Sequence, residues 1–248
     1  MISPISKTIF KRELKNYFAS PMGYVFLVIF LVAIGHLTFT PGIGSFFLLR
    51  QATLAVLFQQ LPWPLLFLIP AVSMRLWSEE RKSGTVELLF TLPITVKEAV
   101  MGKFLAAWAF IALAIVGTAP MIFTVIYLGS PDIKTIFTGY LAAILLAGAF
   151  LSIGQFFSAL TKSQVISFIL SSVVCYLFVL AGSPPFIEFM RSFSPQYVLD
   201  LFQALNILAP YEVLSKGVVR LSDLFYFIIL IGSFLMATIF LLNENKSR

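Results

Sequence analysis

The chain has 248 residues, of which 59% are hydrophobic and 11% charged, and its mean hydropathy is +0.97. A soluble domain of this length cannot bury so much apolar surface, so the composition excludes a soluble globular protein and indicates a polytopic membrane protein. The net charge of +6 does not indicate a nucleic-acid binder, because the basic residues are scattered among apolar runs without interleaved stacking aromatics. The only cysteine, Cys175, excludes a disulfide framework and a thiolate metal site.

Residues 1–20 are predicted to form an interfacial helix that leads into the first membrane span. Ser3 and Pro4 suit the first positions of this helix, and its apolar residues share one face opposite the basic residues. Charges continue to Lys15 without a small-residue cleavage site, which is unlike a signal peptide. A flexible basic tail with chance periodicity is the alternative interpretation.

Six apolar segments are long enough to be transmembrane helices, because about twenty apolar residues cross the hydrocarbon core. Ser20 and Pro21 form a helix start for the first span, and Thr95 with Glu98 forms a capping box before the third. At about 1.5 Å per residue the third helix exceeds the core, so its first turns are expected to project into the cytoplasm, with a kink at Pro120. The predicted spans are at about 21–40, 53–73, 99–128, 135–160, 164–182 and 222–243.

The distribution of basic residues predicts that both termini are cytoplasmic. In that orientation, twelve of the 17 lysines and arginines lie on the inside. The remaining five, on the outside, are Arg50, Lys134, Arg191, Lys216 and Arg220. Because basic residues are retained on the cytoplasmic side of membranes, this bias favours six spans with both ends inside.

Residues 74–95, between the second and third spans, are predicted to form a bent amphipathic elbow on the cytoplasmic membrane surface. Arg75 to Lys82 contains good helix formers, and Gly84 interrupts that helix. A second short helix with Gly84 as its N-cap would place Glu87 beside unpaired backbone N–H groups. The apolar surface of the elbow comes from Trp77, Val86, Leu88, Leu89 and Phe90. A solvated charged loop is the alternative interpretation.

The elbow belongs to an ordered set of short motifs that extends over most of the chain. These motifs are Lys11-x-Glu13-Leu14, Ser20-Pro21, Ile69-Pro70-Ala71-x-x-Met74-Arg75, Glu79-Glu80-Arg81-Lys82-x-Gly84-Thr85-x-Glu87-Leu88-Leu89, Leu92-Pro93, Gly102-Lys103, Ser158-x-Leu160-Thr161, Gly217-Val218-Val219, Asp223 and Tyr226-Phe227. The set resembles the ABC-2 type transporter permeases and, more narrowly, their gliding-motility-associated branch. No single motif in it is as specific as a Walker sequence.

The resemblance implies an all-α fold, with residues 1–248 forming one ABC-2 type transmembrane domain in a bacterial inner membrane. It also implies that the elbow is a coupling helix docked on a separate ABC ATPase. The residues expected to carry this contact are Arg75, Trp77, Glu79, Glu80, Arg81, Gly84, Thr85, Glu87 and Leu88.

The expected assembly contains more than this chain. ATP and Mg²⁺ would bind to two ATPase subunits, and no cofactor would bind to the permease itself. One six-span chain cannot supply both halves of such a transporter, so a second permease, identical or related, is expected in the surrounding membrane lipid. The resemblance further suggests a partner with a large extracytoplasmic domain.

A narrow polar stripe follows the fourth predicted span. Its members, which recur at spacings of three or four, are Gly148, Ser152, Gln155 and Ser158. Because polar groups in hydrocarbon are costly, the stripe is predicted to line a translocation path or a dimer interface. Ordinary helix packing through small residues is the alternative. The same two interpretations apply to three serines of the fifth span, Ser167, Ser171 and Ser172.

The outer segment, residues 183–221, is too apolar to be a free loop. It contains several prolines and two amphipathic stretches, near 186–193 and 196–208. The resemblance implies short helices that dip into the outer leaflet over the outer mouth of the path, where non-helical backbone is tolerated. Phe186 and Phe189 are the predicted residues of this cap.

No catalytic site is predicted. A P-loop is absent, and no acidic pair lies inside a span to hold a metal ion or to act as acid and base. The only histidine, His36, either packs near the interface or contacts substrate. The favoured function is a non-catalytic permease of an ATP-driven exporter that works by alternating access. The alternatives are a scaffold that anchors an ATPase without transport, as in gliding motility or envelope assembly, and a membrane enzyme.

Overall fold

The computed structural model describes residues 4–44, 46–48, 51–85 and 94–247, and the regular elements in these ranges are all α-helices. The helices, numbered in chain order, are α1 Pro4–Ala19, α2 Pro21–Phe39, α3 Ala55–Gln60, α4 Pro62–Ser73, α5 Arg75–Ser83, α6 Val96–Val116, α7 Pro120–Leu128, α8 Ile133–Leu160, α9 Gln164–Leu180, α10 Pro184–Arg191, α11 Gln196–Leu205, α12 Leu208–Ser215 and α13 Leu221–Ser247. The predicted all-α fold is therefore confirmed for the described residues.

Four of the described helical segments are long and apolar enough to cross a membrane: Pro21–Phe39, Val96–Leu128, Ile133–Leu160 and Leu221–Glu244. A fifth span results if α9 and α10, which meet at an angle of 80°, are counted as one bent span. A multi-pass membrane protein is thus confirmed, while the count of six spans stays a prediction.

The predicted second span, 53–73, is divided into the short helices α3 and α4. The break lies at Leu61, whose N–H still donates to the carbonyl of Leu57 over 3.0 Å. Pro62 then begins α4, because a residue without an N–H is best tolerated in the first turn of a helix. Leu57, Leu65 and Ile69 are fully buried, whereas Trp63 and Phe67 are about half exposed, so one side of this segment packs inside the protein. Hydropathy alone does not distinguish such a broken segment from a continuous span.

Local signals for helix starts are confirmed at three places. The Ser20 hydroxyl accepts from the N–H of Met22, with Pro21 at the first position of α2. Thr95 and Glu98 form the predicted capping box at the start of α6. The third span is broken where a kink was predicted, since α6 ends at Val116 and α7 begins at Pro120. Each of these signals acts within a few residues, which is why the sequence reveals it.

The helix α8 forms the centre of the protein. In its most apolar stretch 72% of the residues are buried, whereas this share is 33% or less in the corresponding stretches of the other three candidate spans. Glycines along α8 allow neighbouring helices to approach it closely. A Cβ atom on Gly148 would lie 3.0 Å from Trp108, and one on Gly154 would overlap the side chain of Ser73. The core of the fold therefore depends on small residues along α8.

The N-terminal helix α1 runs along α6. The Ser6 hydroxyl donates to the carbonyl of Glu98 over 3.4 Å, and the ring of Tyr17 stacks on Phe110 at 4.8 Å. Because these contacts are spread along both helices in the same order, α1 and α6 run in the same direction. The basic residues of α1, namely Lys7, Lys11, Arg12 and Lys15, are exposed on its other side. The predicted amphipathic helix is confirmed, and its place at a membrane interface stays a prediction.

The outer segment contains the three short helices α10, α11 and α12, and the two predicted amphipathic stretches are among them. Phe186 packs against Phe202 with ring centroids 5.3 Å apart, whereas Phe189 is 62% exposed. The buried Tyr211 of α12 donates its hydroxyl to the carbonyl of Phe58 in α3. The outer segment is therefore attached to the helical core, and its position in the outer leaflet stays a prediction.

Candidate functional site: the attachment of helix α5

The helix α5 has a buried face and an exposed face. Leu76 and Trp77 are buried against the rest of the chain. Arg75, Glu79 and Lys82, which recur at i, i+4 and i+7, are exposed. We call these three residues the outer face of α5. This nine-residue helix is too short to be stable alone, so contacts on its buried side must hold it in place.

The first turn of α5 is held by a serine from another helix. The preceding residue, Met74, makes no side-chain capping bond. Instead, the hydroxyl of Ser158 in α8 accepts from the N–H groups of Trp77 and Ser78, at 3.0 and 3.1 Å. The same hydroxyl donates to the carbonyl of Met74 over 2.9 Å. Ser158 therefore performs the role of an N-cap residue from 80 positions further along the chain.

The last turn of α5 is bonded to the end of α8. The guanidinium of Arg81 donates to the carbonyl of Ala159, one residue before α8 ends. The last carbonyls of a helix have no partners within it and carry partial negative charge, so a cation stabilises them. Both ends of α5 are consequently fixed to the C-terminal turn of α8.

A buried lysine attaches α5 to α6. The Nζ atom of Lys103 lies 2.5 Å from an oxygen of Glu80 and donates to the carbonyl of Leu76 over 2.6 Å. It also lies 4.3 Å from the ring centroid of Trp77, which is a cation–π arrangement. The Lys103 side chain is 4% exposed, and that of Glu80 is 26% exposed.

Lys103 was not among the predicted site residues, although it is part of a quoted motif. One signal could have found it, namely a lysine inside the predicted span 99–128. A charge at such a position is costly and requires a partner.

The predicted coupling residues are thus divided between the two sides of α5. Arg75, Glu79, Gly84 and Thr85 are exposed. The other three with described positions face the chain itself: Trp77 is fully buried, and Glu80 and Arg81 bond to α6 and α8. Their direct contact with a partner stays a prediction. The predicted Glu87 and Leu88, and the second helix of the elbow, lie outside the described residues.

Gly84 ends α5 in the left-handed conformation, with φ of 72°. The predicted interruption of the helix at this glycine is confirmed. Gly84 is the C-cap of α5, and its predicted role as the N-cap of a second helix stays a prediction, because that helix lies outside the described residues. Left-handed backbone at the residue after a helix is usual for glycine, because a Cβ atom would be strained there.

All four members of the polar stripe are buried within the chain. Gln155 donates its amide to the carbonyl of Val100 in α6 over 3.1 Å, and the Ser152 hydroxyl returns to Ala149 of its own helix over 2.8 Å. Gly148 contacts Trp108, and Ser158 holds α5 as described. Two stripe residues therefore bond to neighbouring helices, Ser158 to α5 and Gln155 to α6. A role in a translocation path or a dimer interface stays a prediction.

The arrangement is the attachment of a short helix to two long ones. Among the described residues, no group of three or more His, Cys, Asp or Glu side chains is placed to hold a metal ion. The geometry provides a short charged helix that is fixed to the N-terminal half of α6 and to the C-terminal turn of α8. The bonds of α5 run to α6 through Lys103 and to α8 through Ser158 and Arg81.

Comparison with known proteins identifies the family. A search of curated proteins found no match to this chain. The family model described as ABC-2 family transporter protein matches residues 7–242, which include α5 and the residues that hold it. This family implies a non-catalytic membrane subunit that works with an ABC ATPase. Because the match spans nearly the whole sequence, the chain belongs to the ABC-2 family transporter proteins and is a membrane subunit of an ABC transporter.

Proposed function

We propose that this chain is the permease of an ATP-driven exporter and that its ABC ATPase docks on the outer face of α5. The observation that carries the proposal is the two-sided character of α5. The buried side is bonded to α6 and α8, while Arg75, Glu79 and Lys82 are exposed. A docked ATPase would therefore contact charges of both signs, which favours a specific orientation.

The buried residues of α5 then have a positioning role. Trp77, Glu80 and Arg81 keep the helix oriented and transmit its displacement to α6 and α8. The exposed Gly84 and Thr85, and also Glu87 and Leu88, would extend the contact surface beyond the end of α5. Alternating access would follow if ATP-driven closure of two ATPase subunits moves the bases of these long helices.

The proposed topology has six spans with both termini in the cytoplasm of a bacterial cell. In this arrangement α3 and α4 together form the second span, and α9 forms the fifth. The twelve inside basic residues and the cytoplasmic location required of α5 support this orientation. The functional assembly would contain two ATPase subunits with ATP and Mg²⁺, a second permease, and a partner with a large extracytoplasmic domain. Membership of the gliding-motility-associated branch stays a prediction.

Charge reversal on the outer face tests the docking proposal. The variants Glu79→Lys and Lys82→Glu should each reduce co-purification of the ATPase in detergent by about tenfold, because one lost charge-assisted contact costs about 1.5 kcal/mol or more. Lys134→Glu is the matched control, since it reverses an exposed charge at the opposite end of α8. Co-purification at the wild-type level in both α5 variants would contradict docking at this face.

Transport itself needs a separate measurement. The purified permease and ATPase, reconstituted in proteoliposomes, should move substrate only when ATP is supplied. A complex that hydrolyses ATP and moves none of the candidate substrates would instead favour the scaffold interpretation. The genes adjacent to that of the permease provide the first candidates for the ATPase and the partner subunit.

A further inference from the structure

A cleft of about 420 Å³ lies beside α5, between α1 and α2 on one side and α4, α5 and α6 on the other. Its volume is within the range of ligand pockets, which is roughly 300–1,000 Å³. The part between α2 and α4 is apolar and includes Phe26, Ile29, Leu68 and Val72. The part between α1 and α5 is polar and includes Glu13, Asn16, Arg75, Glu79 and Glu80. The cleft thus has an apolar end and a charged end.

The change from apolar to polar lining coincides with the ends of two helices. Ser20 separates α1 from α2, and Met74 separates α4 from α5. Val25 and Ile29 on α2 line the cleft and are about half exposed. The apolar end is therefore open to the side of the protein, on a helix that is long and apolar enough to cross the membrane. This geometry suits a molecule that has both a charged headgroup and a hydrocarbon chain.

The charges at the polar end determine which headgroup fits. The ammonium of Lys103 already has partners, because it is bonded to Glu80 and to the Leu76 carbonyl. The remaining lining charges are the carboxylate of Glu79, the guanidinium of Arg75 and the carboxylate of Glu13, which is paired with Arg12 at 2.8 Å. No donor from the described residues reaches the buried Oε2 atom of Glu80. A ligand with N–H donors would satisfy this oxygen, since an unpartnered buried acceptor is costly.

We propose that this cleft binds a phospholipid whose headgroup carries a primary ammonium, such as phosphatidylethanolamine. The ammonium lies among Glu13, Glu79 and Glu80, the phosphate lies at Arg75, and an acyl chain follows α2 and α4. A lipid with an anionic headgroup lacks the cation that Glu79 and Glu80 would contact. A quaternary ammonium has no N–H group to donate. The inference rests on the membrane placement of α2 and α4 and not on ATPase docking.

The test uses the purified full-length permease without ATPase. Native mass spectrometry in detergent measures retention of phosphatidylethanolamine, phosphatidylcholine and phosphatidylglycerol with identical acyl chains. Wild-type protein should retain phosphatidylethanolamine about tenfold better than the other two, as expected for one or two charge-assisted hydrogen bonds. Equal retention of all three lipids would overturn the proposal, because it would indicate only non-specific lipid at the protein surface.

Three variants locate the site. Glu13→Gln should lower retention of phosphatidylethanolamine about fivefold or more without affecting the other lipids, because it removes one charge-assisted contact. Val25→Trp fills the apolar end at a half-exposed position and should lower retention of every lipid. Glu188→Gln, an exposed acid of α10 outside the cleft, is the matched control. Wild-type retention by both cleft variants would overturn the proposal.

One further measurement separates this site from the docking surface. Glu13 lies on α1 and is not part of the outer face of α5. The Glu13→Gln variant should therefore co-purify with the ATPase as the wild type does, while its lipid retention falls. Loss of both properties in this variant would overturn the assignment of a distinct lipid site. Arg75 and Glu79 line the cleft and also belong to the outer face of α5, so docking is tested apart from the cleft by Lys82→Glu, and wild-type co-purification of that variant would bear only on the proposed function.

Discussion

Replacing Lys103 by methionine should destabilise the attachment of α5 and reduce coupling to the ATPase. Breaking a fully buried ion pair costs about 3–5 kcal/mol. Because the Glu80 side chain is 26% exposed, water partly solvates its carboxylate once Lys103 is replaced. The expected cost of breaking this ion pair is therefore lower, about 2 kcal/mol. The Leu76 carbonyl also loses its donor, which adds about 1 kcal/mol. The expected loss of stability is therefore about 3 kcal/mol for Lys103→Met.

The matched variant combines Lys103→Met with Glu80→Gln, which removes the unpaired carboxylate and keeps its shape. Stability should recover by about 1–2 kcal/mol, since an apolar and neutral pair leaves no uncompensated charge. Thermal unfolding of the purified permease in detergent measures both changes, and stimulated ATP turnover in proteoliposomes measures coupling. If Lys103→Met is as stable as the wild type, or if the double variant is less stable than the single one, the ion pair does not hold α5.

Three further outcomes are expected. Ser158→Ala should lower stability by about 1–2 kcal/mol, because two N–H groups of α5 lose their acceptor. The control Ser152→Ala should change stability by less than about 0.5 kcal/mol, and thermal unfolding compares the two variants. Gly154→Ala should destabilise the protein by about 1–3 kcal/mol, since its Cβ atom would overlap a side chain of α4, and unchanged unfolding would contradict that contact. In intact cells, an impermeant thiol reagent should label Ser194→Cys and not Ser83→Cys, and the opposite pattern would reverse the proposed orientation.

The features that the sequence predicts correctly are those encoded within a few residues. The capping box of Thr95 and Glu98, the start at Pro21 and the interruption at Gly84 all depend on local backbone chemistry. The break at Pro62 is also local. It was missed because the flanking residues are apolar throughout and the segment satisfied the length of a membrane span.

The contacts that hold α5 could not be predicted, because their partners are far apart in the chain. Ser158 is 81 positions from Trp77, and Lys103 is 27 positions from Leu76. The helical pattern of residues 75–83 indicates an amphipathic helix without indicating what covers its apolar side. The sequence therefore predicts that Trp77 is part of a coupling surface without revealing that it is buried inside its own chain. Only the packing of α8 against α4, α5 and α6 reveals which side of α5 is covered by its own chain.

The N-cap role at α5 is performed by Ser158 of α8, which has a consequence for biosynthesis. At roughly 5–20 residues per second, the ribosome needs about 4–16 s after making residue 78 before it adds Ser158. During that interval the start of the helix lacks its acceptor, and nine residues alone do not form a stable helix in water. The nascent permease should therefore recruit its ATPase only after α8 has been inserted. A chain truncated after residue 132 should reach the membrane and fail to retain the ATPase, so incomplete permeases would not consume ATP.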